Sequence, residues 1–223
     1  MEYKAILFDL DGTLLDTLDD LHDAVNRALA AFGFPLRTRE ETRLSVGNGV
    51  GRLMTLSIPE GDRNPAFEPC LSFFRRYYAA NSRNKTRPYD GVLPLLETLA
   101  QNNIPVGVVS NKFDSAVKSL CQSYFGPLVA VAVGEREGVR RKPAPDALFA
   151  AIRELGVRPD DCLYVGDSET DVLTAQNASL PCLSVLWGFR DKKTLEEAGA
   201  SAFVLHPLEI LNYLGLSVPA EER

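Results

Sequence analysis

Histidine is scarce in this chain of 223 residues, which contains only two, and neither lies near a catalytic motif. The sequence therefore excludes catalysis based on histidine. Cysteine is present four times, but Cys70, Cys121, Cys162 and Cys182 are far apart and form no C-x-x-C pair. This spacing argues against a zinc site or a disulfide framework and predicts reduced, mostly buried thiols.

Long apolar runs and clustered positive charge are also missing. The first residues lead directly into a short strand-like segment that ends in acids, so we expect neither a signal peptide nor a membrane span, and a soluble cytoplasmic protein. The formal net charge is −6, and the basic runs Arg75-Arg76 and Arg140-Arg141-Lys142 are short. Because nucleic acid binding depends on clustered Lys and Arg, we expect no nucleic acid partner.

Short runs rich in Val, Ile and Leu alternate with amphipathic stretches of helix length. The runs lack the polar alternation of a half-exposed strand, which is typical of a parallel sheet covered on both faces. The sequence therefore predicts an α/β fold with a doubly wound, Rossmann-like parallel sheet. The predicted strands are 3–8, 105–109, 128–133, 162–165 and 182–186, with a weaker one at 202–205.

A long helical segment separates the first two predicted strands. Apolar residues from Leu21 to Phe32 recur at helical spacing, and Gly33 is placed to end that helix. Thr38 and Glu41 then form a capping-box pattern. We predict an inserted helical cap domain at 17–85, within a core domain formed by 1–16 and 86–223.

Two acidic clusters follow predicted strands. Asp9 and Asp11 belong to the segment D-L-D-G-T-L-L-D-T, which comes directly after the first strand, and Asp167 and Asp171 belong to G-D-S-E-T-D after the fourth. Carboxylates crowded at a strand end repel one another unless a cation or a proton intervenes. A hard divalent ion such as Mg²⁺ suits these oxygen ligands and also bridges to phosphate.

Two further elements belong to the same edge of the predicted sheet. Ser110-Asn111-Lys112 follows the second strand and offers a hydroxyl and backbone amides to an anion. Lys142, flanked by Arg141 and Pro143, supplies a positive charge. Ligands of open α/β sheets bind at the carboxyl ends of the strands, so we expect the site there.

Together these four elements resemble the haloacid dehalogenase superfamily, whose phosphatases carry D-x-D-G-T, a Ser or Thr at a strand end, a Lys and a final acidic pair in this order. The resemblance covers nearly the whole chain. It implies the strand order 5-4-1-2-3, in which strands one, two and four are neighbours, so that Asp9, Ser110 and Asp167 converge.

The resemblance also implies roles for individual residues. Asp9 corresponds to the nucleophile that forms an aspartyl-phosphate, and Asp11 to the general acid that later acts as base. Asp9, the main-chain carbonyl of Asp11, and Asp167 would hold Mg²⁺. Asp171, with Gly166 beside it, would orient these ligands without itself binding the metal ion.

The phosphoryl group and the rest of the substrate have their own candidates. By resemblance, Ser110 and Lys142 would bind the phosphoryl oxygens, and Asn111 would assist through its backbone amide. The glycine-rich turn that contains Gly49 is similar to that of the phosphoglycolate phosphatase branch, where it approaches the carboxylate end of the substrate. Arg52, just beyond the turn, is a candidate partner for a substrate anion, and Thr17 is a further candidate contact.

The resemblance implies a phosphatase acting on a small organophosphate, with 2-phosphoglycolate the first choice. Pyrophosphate or a sugar phosphate stays open, because the cap selects the leaving group. A dehalogenase is disfavoured, since dehalogenases lack an acid at the place of Asp11. A phosphomutase is weakened because Leu21 occupies the place of its cap histidine, which makes the neighbouring His22 a solvated helix residue. A regulatory module without activity is the remaining alternative, and the choice between monomer and homodimer is open.

Overall fold

The computed structural model describes residues 3–217, which divide into two compact units. The core unit consists of residues 3–14 and 88–217, and the helical unit is Leu15–Arg87. The boundaries expected from the sequence, 17 and 85, differ from these by two residues at each end. None of the helices within 3–217 combines the length and the apolarity that crossing a membrane requires.

The regular elements alternate as a doubly wound fold requires. The strands are β1 Ala5–Phe8, β2 Leu15–Asp16, β3 Arg87–Pro88, β4 Val106–Phe113, β5 Val131–Glu135, β6 Cys162–Gly166, β7 Cys182–Val185 and β8 Phe203–Val204. The α-helices are α1 Leu18–Ala31, α2 Arg39–Ser45, α3 Gly49–Ser57, α4 Phe67–Asn81, α5 Val92–Gln101, α6 Asp114–Tyr124, α7 Asp146–Leu155, α8 Glu169–Ala178, α9 Lys192–Glu197 and α10 Glu209–Tyr213.

Six strands form one sheet in the order β5-β4-β1-β6-β7-β8, and all of their pairings are parallel. β1 is therefore central, with Ile6 opposite Val106 of β4 on one side and Leu163 of β6 on the other. β2 and β3 form a separate two-stranded sheet. The predicted α/β fold and the implied strand order are confirmed, and β8 extends the sheet by one strand.

The main sheet is buried on both faces, which explains the continuous apolar runs of its strands. On one face, Leu7 and Val109 pack with α7 and α8 in a core cluster. The alternate strand residues, Ile6 and Val108 among them, face the other way and are also fully buried. Close packing of apolar side chains on both faces keeps the strand ends in fixed positions. Side chains at those ends are fixed with them.

β4 is longer than its apolar run. It continues beyond Val109 to Phe113, with a shift of register against β5 between these two residues. Ser110, Asn111 and Lys112 consequently lie within the strand rather than after it, a difference from the sequence-based expectation. Their side chains are buried, which polar residues tolerate when hydrogen bonds or ion pairs satisfy them.

The helical unit contains α1 to α4. Thr38 caps α2, and the full capping box with Glu41 is present, as its spacing predicted. Gly33 follows α1 with a left-handed φ of 70°, which favours glycine. The prediction of a solvated His22 is wrong, because the ring is half-buried and bonded through both nitrogens to Thr42 and Asn26.

Candidate active site

Asp9 is the first residue after β1 and lies at the carboxyl edge of the sheet. Its backbone amide donates to the carbonyl of Val165 in β6 at 2.9 Å, which continues the strand pairing up to this point. The chain then leaves the sheet at Gly12, whose φ of 89° suits glycine. The side chain of Asp9 is almost fully buried, although it is an ionisable group.

The second acidic pair lies where β6 passes into α8. The side chains of Asp9, Asp167 and Asp171 each place a carboxylate oxygen within 4.8 Å of the others. Sheet order explains this meeting, because β1 and β6 are paired and both end at the same edge. The two acidic clusters that the sequence separates by more than a hundred positions thus form one buried group.

Asp171 is held by four hydrogen-bond donors. Its Oδ1 accepts from Lys142 Nζ at 2.7 Å and from the Tyr164 hydroxyl at 2.7 Å. Its Oδ2 accepts from the Ser168 hydroxyl at 2.5 Å and from the Ser168 amide at 3.1 Å, which completes the capping box of α8. With both oxygens occupied in this way, Asp171 is suited to orient its neighbours rather than to bind a metal ion directly.

Asp167 is held from two sides by main chain and hydroxyl. Oδ2 accepts from the Phe189 amide at 2.7 Å, and Oδ1 lies 3.4 Å from the Thr13 hydroxyl. Gly12 and Gly188 pack so closely that a Cβ atom on either would overlap the Asp167 side chain. The loop after β7 is also tied to the loop after β1, since the Trp187 indole donates to the Thr13 carbonyl at 3.0 Å.

Lys142 is the cation at the centre of the acidic group. Its Nζ lies 2.8 Å from Asp9 Oδ1 and 2.7 Å from Asp171 Oδ1, and it donates to the Tyr164 hydroxyl at 3.1 Å. Burial alone would lower the pKa of Lys142, but the Asp171 and Asp9 carboxylates raise it above its usual range. The lysine is therefore charged at any physiological pH.

The acids respond differently to burial. Burial raises the pKa of Asp9 to about 7, with Asp171 adding to the shift and Lys142 opposing it. Burial and the charges of Asp171 and Asp9 raise the pKa of Asp167 well above its usual value. Burial also acts on Asp171, but Lys142 and the hydrogen bonds from Ser168 and Tyr164 lower its pKa overall.

This arrangement fits a divalent cation. The group has three buried carboxylates and one lysine, which pairs with Asp9 and Asp171, so these four side chains carry more negative than positive charge when all are ionised. Carboxylate oxygens are the ligands that Mg²⁺ and similar hard ions prefer. Asp9 and Asp167 are the acids whose pKa values are raised by burial and by the neighbouring carboxylates, so a bound cation would stabilise their charged forms.

Asp11 points to a different lysine. Lys112 Nζ lies 2.9 Å and 3.0 Å from the two oxygens of Asp11, and its side chain is only 4% exposed. The Lys112 amide donates to the Ser110 hydroxyl at 3.2 Å. The neighbouring Asn111 side chain donates to the Lys142 carbonyl at 3.0 Å. β4 thus carries three consecutive side chains into the same site.

Several of these residues were not singled out from the sequence. Ser168 carries a detectable signal, since Ser followed three positions later by Asp matches a helix N-cap. Lys112 was predicted only as part of a polar strand end, and no local pattern marks its side chain as a partner of Asp11. Tyr164 reads as an ordinary strand residue, and nothing local marks its hydroxyl as a partner of Asp171. Gly166, by contrast, was expected beside Asp171 from the resemblance, and it lies there so closely that a Cβ atom would overlap the Asp171 side chain.

Three predicted substrate contacts belong to the helical unit. Thr17 is the buried N-cap residue of α1. Gly49 begins α3 with a φ of 79°, and Arg52 is exposed in the first turn of that helix. Their part in substrate binding stays a prediction.

Known proteins resemble this chain in sequence and in fold. A family model described as haloacid dehalogenase-like hydrolase matches residues 6–185. The phosphoglycolate phosphatase of Xylella fastidiosa is 34% identical over 84% of this chain and 82% of its own length. That of Rhodospirillum rubrum is 32% identical over 99% of this chain and 94% of its own.

A solved structure agrees with these relatives. A protein from Lactobacillus delbrueckii subsp. bulgaricus, provisionally assigned as a phosphoglycolate phosphatase, superposes with a TM-score of 0.91 and 36% identity, covering 96% of this chain and 99% of its own. The chain therefore belongs to the haloacid dehalogenase-like hydrolase family, as its motifs predicted. Within that family it is a phosphatase, so the predictions of an enzyme and of its class are confirmed.

Proposed function

We propose that this protein is a Mg²⁺-dependent phosphatase that hydrolyses 2-phosphoglycolate through an aspartyl-phosphate on Asp9. The observation that carries the proposal is the buried meeting of Asp9 with Asp167 and Lys142 at the end of the central strand. The names of the relatives support the choice of substrate. The substrate is a small soluble organophosphate, and the reaction is suited to a cytoplasmic enzyme.

Asp9 is the nucleophile of the proposed reaction. One of its carboxylate oxygens attacks phosphorus, the bond from phosphorus to the leaving oxygen breaks, and Asp11 donates a proton to that oxygen. In the second step Asp11 takes a proton from water, the water oxygen attacks phosphorus, and the Asp9 carboxylate is released with inorganic phosphate. Asp9 is thereby regenerated, and no other reactant is consumed.

The remaining residues place charged groups around the phosphoryl group. Asp9, the main-chain carbonyl of Asp11, and Asp167 would hold Mg²⁺, which when bound supplies positive charge to the phosphoryl oxygens. Lys142 lies 2.8 Å from Asp9 and is placed to contact the same oxygens. Asp171 and the closely packed Gly166 keep Lys142 and the acids in place.

Ser110 and Asn111 complete the phosphoryl site in this proposal. Both are buried in β4, the strand next to β1, and Asn111 is fixed by its bond to the Lys142 carbonyl. Thr17, Gly49 and Arg52 of the helical unit are assigned to the substrate as in the sequence-based prediction. Positioning and charge neutralisation of this kind supply most of the acceleration in phosphoryl transfer.

The test is phosphate release from a panel that contains 2-phosphoglycolate, pyrophosphate, sugar phosphates and an aryl phosphate, with Mg²⁺ and with EDTA. We expect the highest kcat/KM for 2-phosphoglycolate and no turnover with EDTA. Asp9→Asn should reduce kcat by at least about 10⁴-fold, as loss of a nucleophile does in other enzymes, while the fold stays intact.

The alternatives give different results in the same assay. A phosphomutase would need a bisphosphate activator and would release little phosphate without one. A regulatory module would turn over no substrate, aryl phosphate included, and Asp9→Asn would change nothing. Ordinary activity in Asp9→Asn would contradict the assignment of the nucleophile.

A further inference from the structure

The hydroxyl of Tyr164 has no role in the proposed reaction, although it lies among the charged groups of the site. Tyr164 is fully buried in β6, and its ring packs in the core cluster on the face of the sheet that α7 and α8 cover. A buried hydroxyl needs a hydrogen-bond partner, since burial without one is costly. Tyr164 has two, and both are charged: it accepts from Lys142 Nζ at 3.1 Å and donates to Asp171 Oδ1 at 2.7 Å.

The register of the sheet explains how the hydroxyl comes to lie there. Tyr164 is paired with Leu7 of β1, and Asp9 is two positions beyond Leu7. Alternate residues of a strand point to the same face, so Tyr164 and Asp9 lie on one face of the sheet. Asp171 reaches this face from α8, and Lys142 reaches it from the segment before α7. The ring of Tyr164 therefore supports Lys142 from the core side, with the ammonium 5.9 Å from the ring centre.

Lys142, Tyr164 and Asp171 form a closed triangle of hydrogen bonds. The ammonium donates to Asp171 Oδ1 at 2.7 Å and to the Tyr164 hydroxyl, and that hydroxyl donates to the same carboxylate oxygen. An ammonium group has three donors. With two of them held, it cannot rotate about its bond to the side chain, so the direction of the third is fixed as well. Asp9 Oδ1 lies 2.8 Å from this nitrogen.

The hydroxyl fixes the lysine without cancelling its charge. Burial and the negative charge of Asp171 raise the pKa of Tyr164 well above its usual value, so the hydroxyl keeps its proton. A third carboxylate in this place would offset the positive charge of Lys142, which the phosphoryl oxygens need in the transition state. The neutral hydroxyl instead forms two charge-assisted hydrogen bonds, which are stronger than bonds between neutral groups.

We propose that Tyr164 is a positioning residue for phosphoryl transfer, which acts by holding the Lys142 ammonium towards the phosphoryl group that Asp9 attacks. The inference rests on the proposed function, in which Lys142 contacts the phosphoryl oxygens. Catalysis of this reaction depends mainly on charged groups that are fixed before it begins, so a small loss of direction lowers the rate. The effect belongs to the transition state and leaves substrate binding unchanged.

The test is Tyr164→Phe, which removes the hydroxyl and keeps the ring with its packing, so the variant should fold. For 2-phosphoglycolate, kcat and kcat/KM should both fall by about 10-fold or more, the size of effect that loss of an outer hydrogen-bond partner has at metal sites. KM should stay within about twofold of the wild-type value. Tyr213→Phe is the matched control, because it removes the same hydroxyl from a side chain that is 44% exposed in α10. It should leave both constants unchanged.

A second measurement asks whether the hydroxyl acts through Lys142. In a Lys142→Met background, Tyr164→Phe should lower the residual kcat by less than about twofold, because the group that the hydroxyl positions is gone. Circular dichroism and thermal melting would verify the fold of each variant. Equal fold losses in the two backgrounds would overturn the proposal, because Tyr164 would then act independently of Lys142.

The results separate the inference from the function on which it rests. If the wild-type protein releases no phosphate from 2-phosphoglycolate or from any other ester of the panel, the proposed function is wrong and the inference falls with it. If the wild-type protein is active and Tyr164→Phe keeps its kcat, only the inference is wrong. A higher KM at unchanged kcat would also overturn it, because the hydroxyl would then contribute to substrate binding alone. A lower melting temperature with full activity would assign Tyr164 to stability and would equally contradict the inference.

Discussion

At the scale of single residues, the site shows how neighbours decide what a carboxylate does. Asp167 and Asp171 are four positions apart and both are buried, yet their pKa values shift in opposite directions. Asp171 has Lys142 and three hydrogen-bond donors of neutral groups against it, whereas Asp167 has a main-chain amide and a distant hydroxyl. The acid without a close cation is the one that suits a metal ion.

Gly188 tests how far the placement of Asp167 depends on close packing. A Cβ atom there would overlap the Asp167 side chain and the Gly12 carbonyl, so Gly188→Ala should displace the carboxylate. We expect a several-fold higher Mg²⁺ concentration for half-maximal phosphate release, and a loss of about 1–3 kcal/mol in stability from overpacking.

Gly51 provides the comparison. Within the described residues, nothing lies within 4 Å of a Cβ built there, and its backbone is helical. Gly51→Ala should keep or slightly raise the melting temperature, because alanine favours helix. An unchanged Mg²⁺ requirement in Gly188→Ala would show that Asp167 does not depend on this contact.

Residues that belong to a recognisable motif could be predicted from the sequence. Residues whose partners lie far away in the sequence could not. The family resemblance placed Asp9, Asp167 and Lys142 at one edge of the sheet. The structure places carboxylate oxygens of Asp9 and Asp167 within 4.8 Å of each other and Lys142 Nζ 2.8 Å from Asp9. The pairing of Lys112 with Asp11 joins positions about a hundred residues apart. It depends on the extra length of β4, which no local pattern indicates.

At the scale of elements, one carboxylate ties together two segments of the helical unit. Asp20 of α1 is 3% exposed and accepts hydrogen bonds from the amides of Lys85 and Thr86 and from the Thr86 hydroxyl, at 2.8–3.0 Å. The segment that follows α4 is thereby fixed to the first helix of the unit. No local pattern indicates this bond, because Asp20 lies among other acids at the start of an amphipathic helix.

Removal of this carboxylate should destabilise the helical unit. Asp20→Ala removes the acceptor of the buried Thr86 amide and hydroxyl and of the partly buried Lys85 amide, and we expect a loss of about 2–4 kcal/mol in the free energy of unfolding. Thermal and urea unfolding would measure it.

Asp23 is the matched control in the same helix. It pairs with the side chain of Lys85 at 2.6 Å, but both side chains are about half exposed, and exposed ion pairs contribute little. Asp23→Ala should therefore melt close to the wild-type protein. Equal effects of the two substitutions would contradict the structural role of Asp20.

The bonds of His22 follow the same logic. The Thr42 hydroxyl donates to the Thr38 carbonyl, so it accepts from His22 Nδ1, and the other ring nitrogen accepts from the Asn26 amide. The Asn26 amide group is itself oriented by two bonds to the main chain of Arg37. The sequence does not distinguish a solvated helix residue from one that takes part in such a polar network.

At the scale of the whole molecule, the site results from the order of the strands. β4, β1 and β6 are neighbours in the sheet although they are far apart in sequence, and they bring together Ser110, Asp9 and Asp167, to which the proposal assigns phosphate binding, nucleophilic attack and metal binding. The alternation of apolar runs and helices was enough to predict this class of fold. The strand order itself came from the family resemblance, since hydrophobic patterning does not specify which strands are neighbours.

The buried acids make stability depend on pH and on metal. The unfolded chain ionises Asp9 near 3.8, whereas burial raises its pKa to about 7 in the folded protein, and the pKa of Asp167 is raised as well. Between these values the folded state binds more protons than the unfolded state, so the stability of the metal-free protein should fall as the pH rises through this window.

Mg²⁺ would replace those protons. The rise in melting temperature on adding Mg²⁺ should therefore be larger at about pH 8 than at about pH 5. The variant Asp167→Asn should lose most of that difference. An equal effect of Mg²⁺ at both pH values, or none at either, would contradict a metal site at these acids.

The central claim is that Asp9 becomes covalently phosphorylated, and the most direct measurement is mass spectrometry of the acid-quenched protein after mixing with 2-phosphoglycolate and Mg²⁺. We predict the added mass of one phosphoryl group on the peptide that contains Asp9. Asp9→Asn should abolish it. Phosphate release that continues in Asp9→Asn, with no phosphorylated peptide in the wild-type protein, would contradict the account.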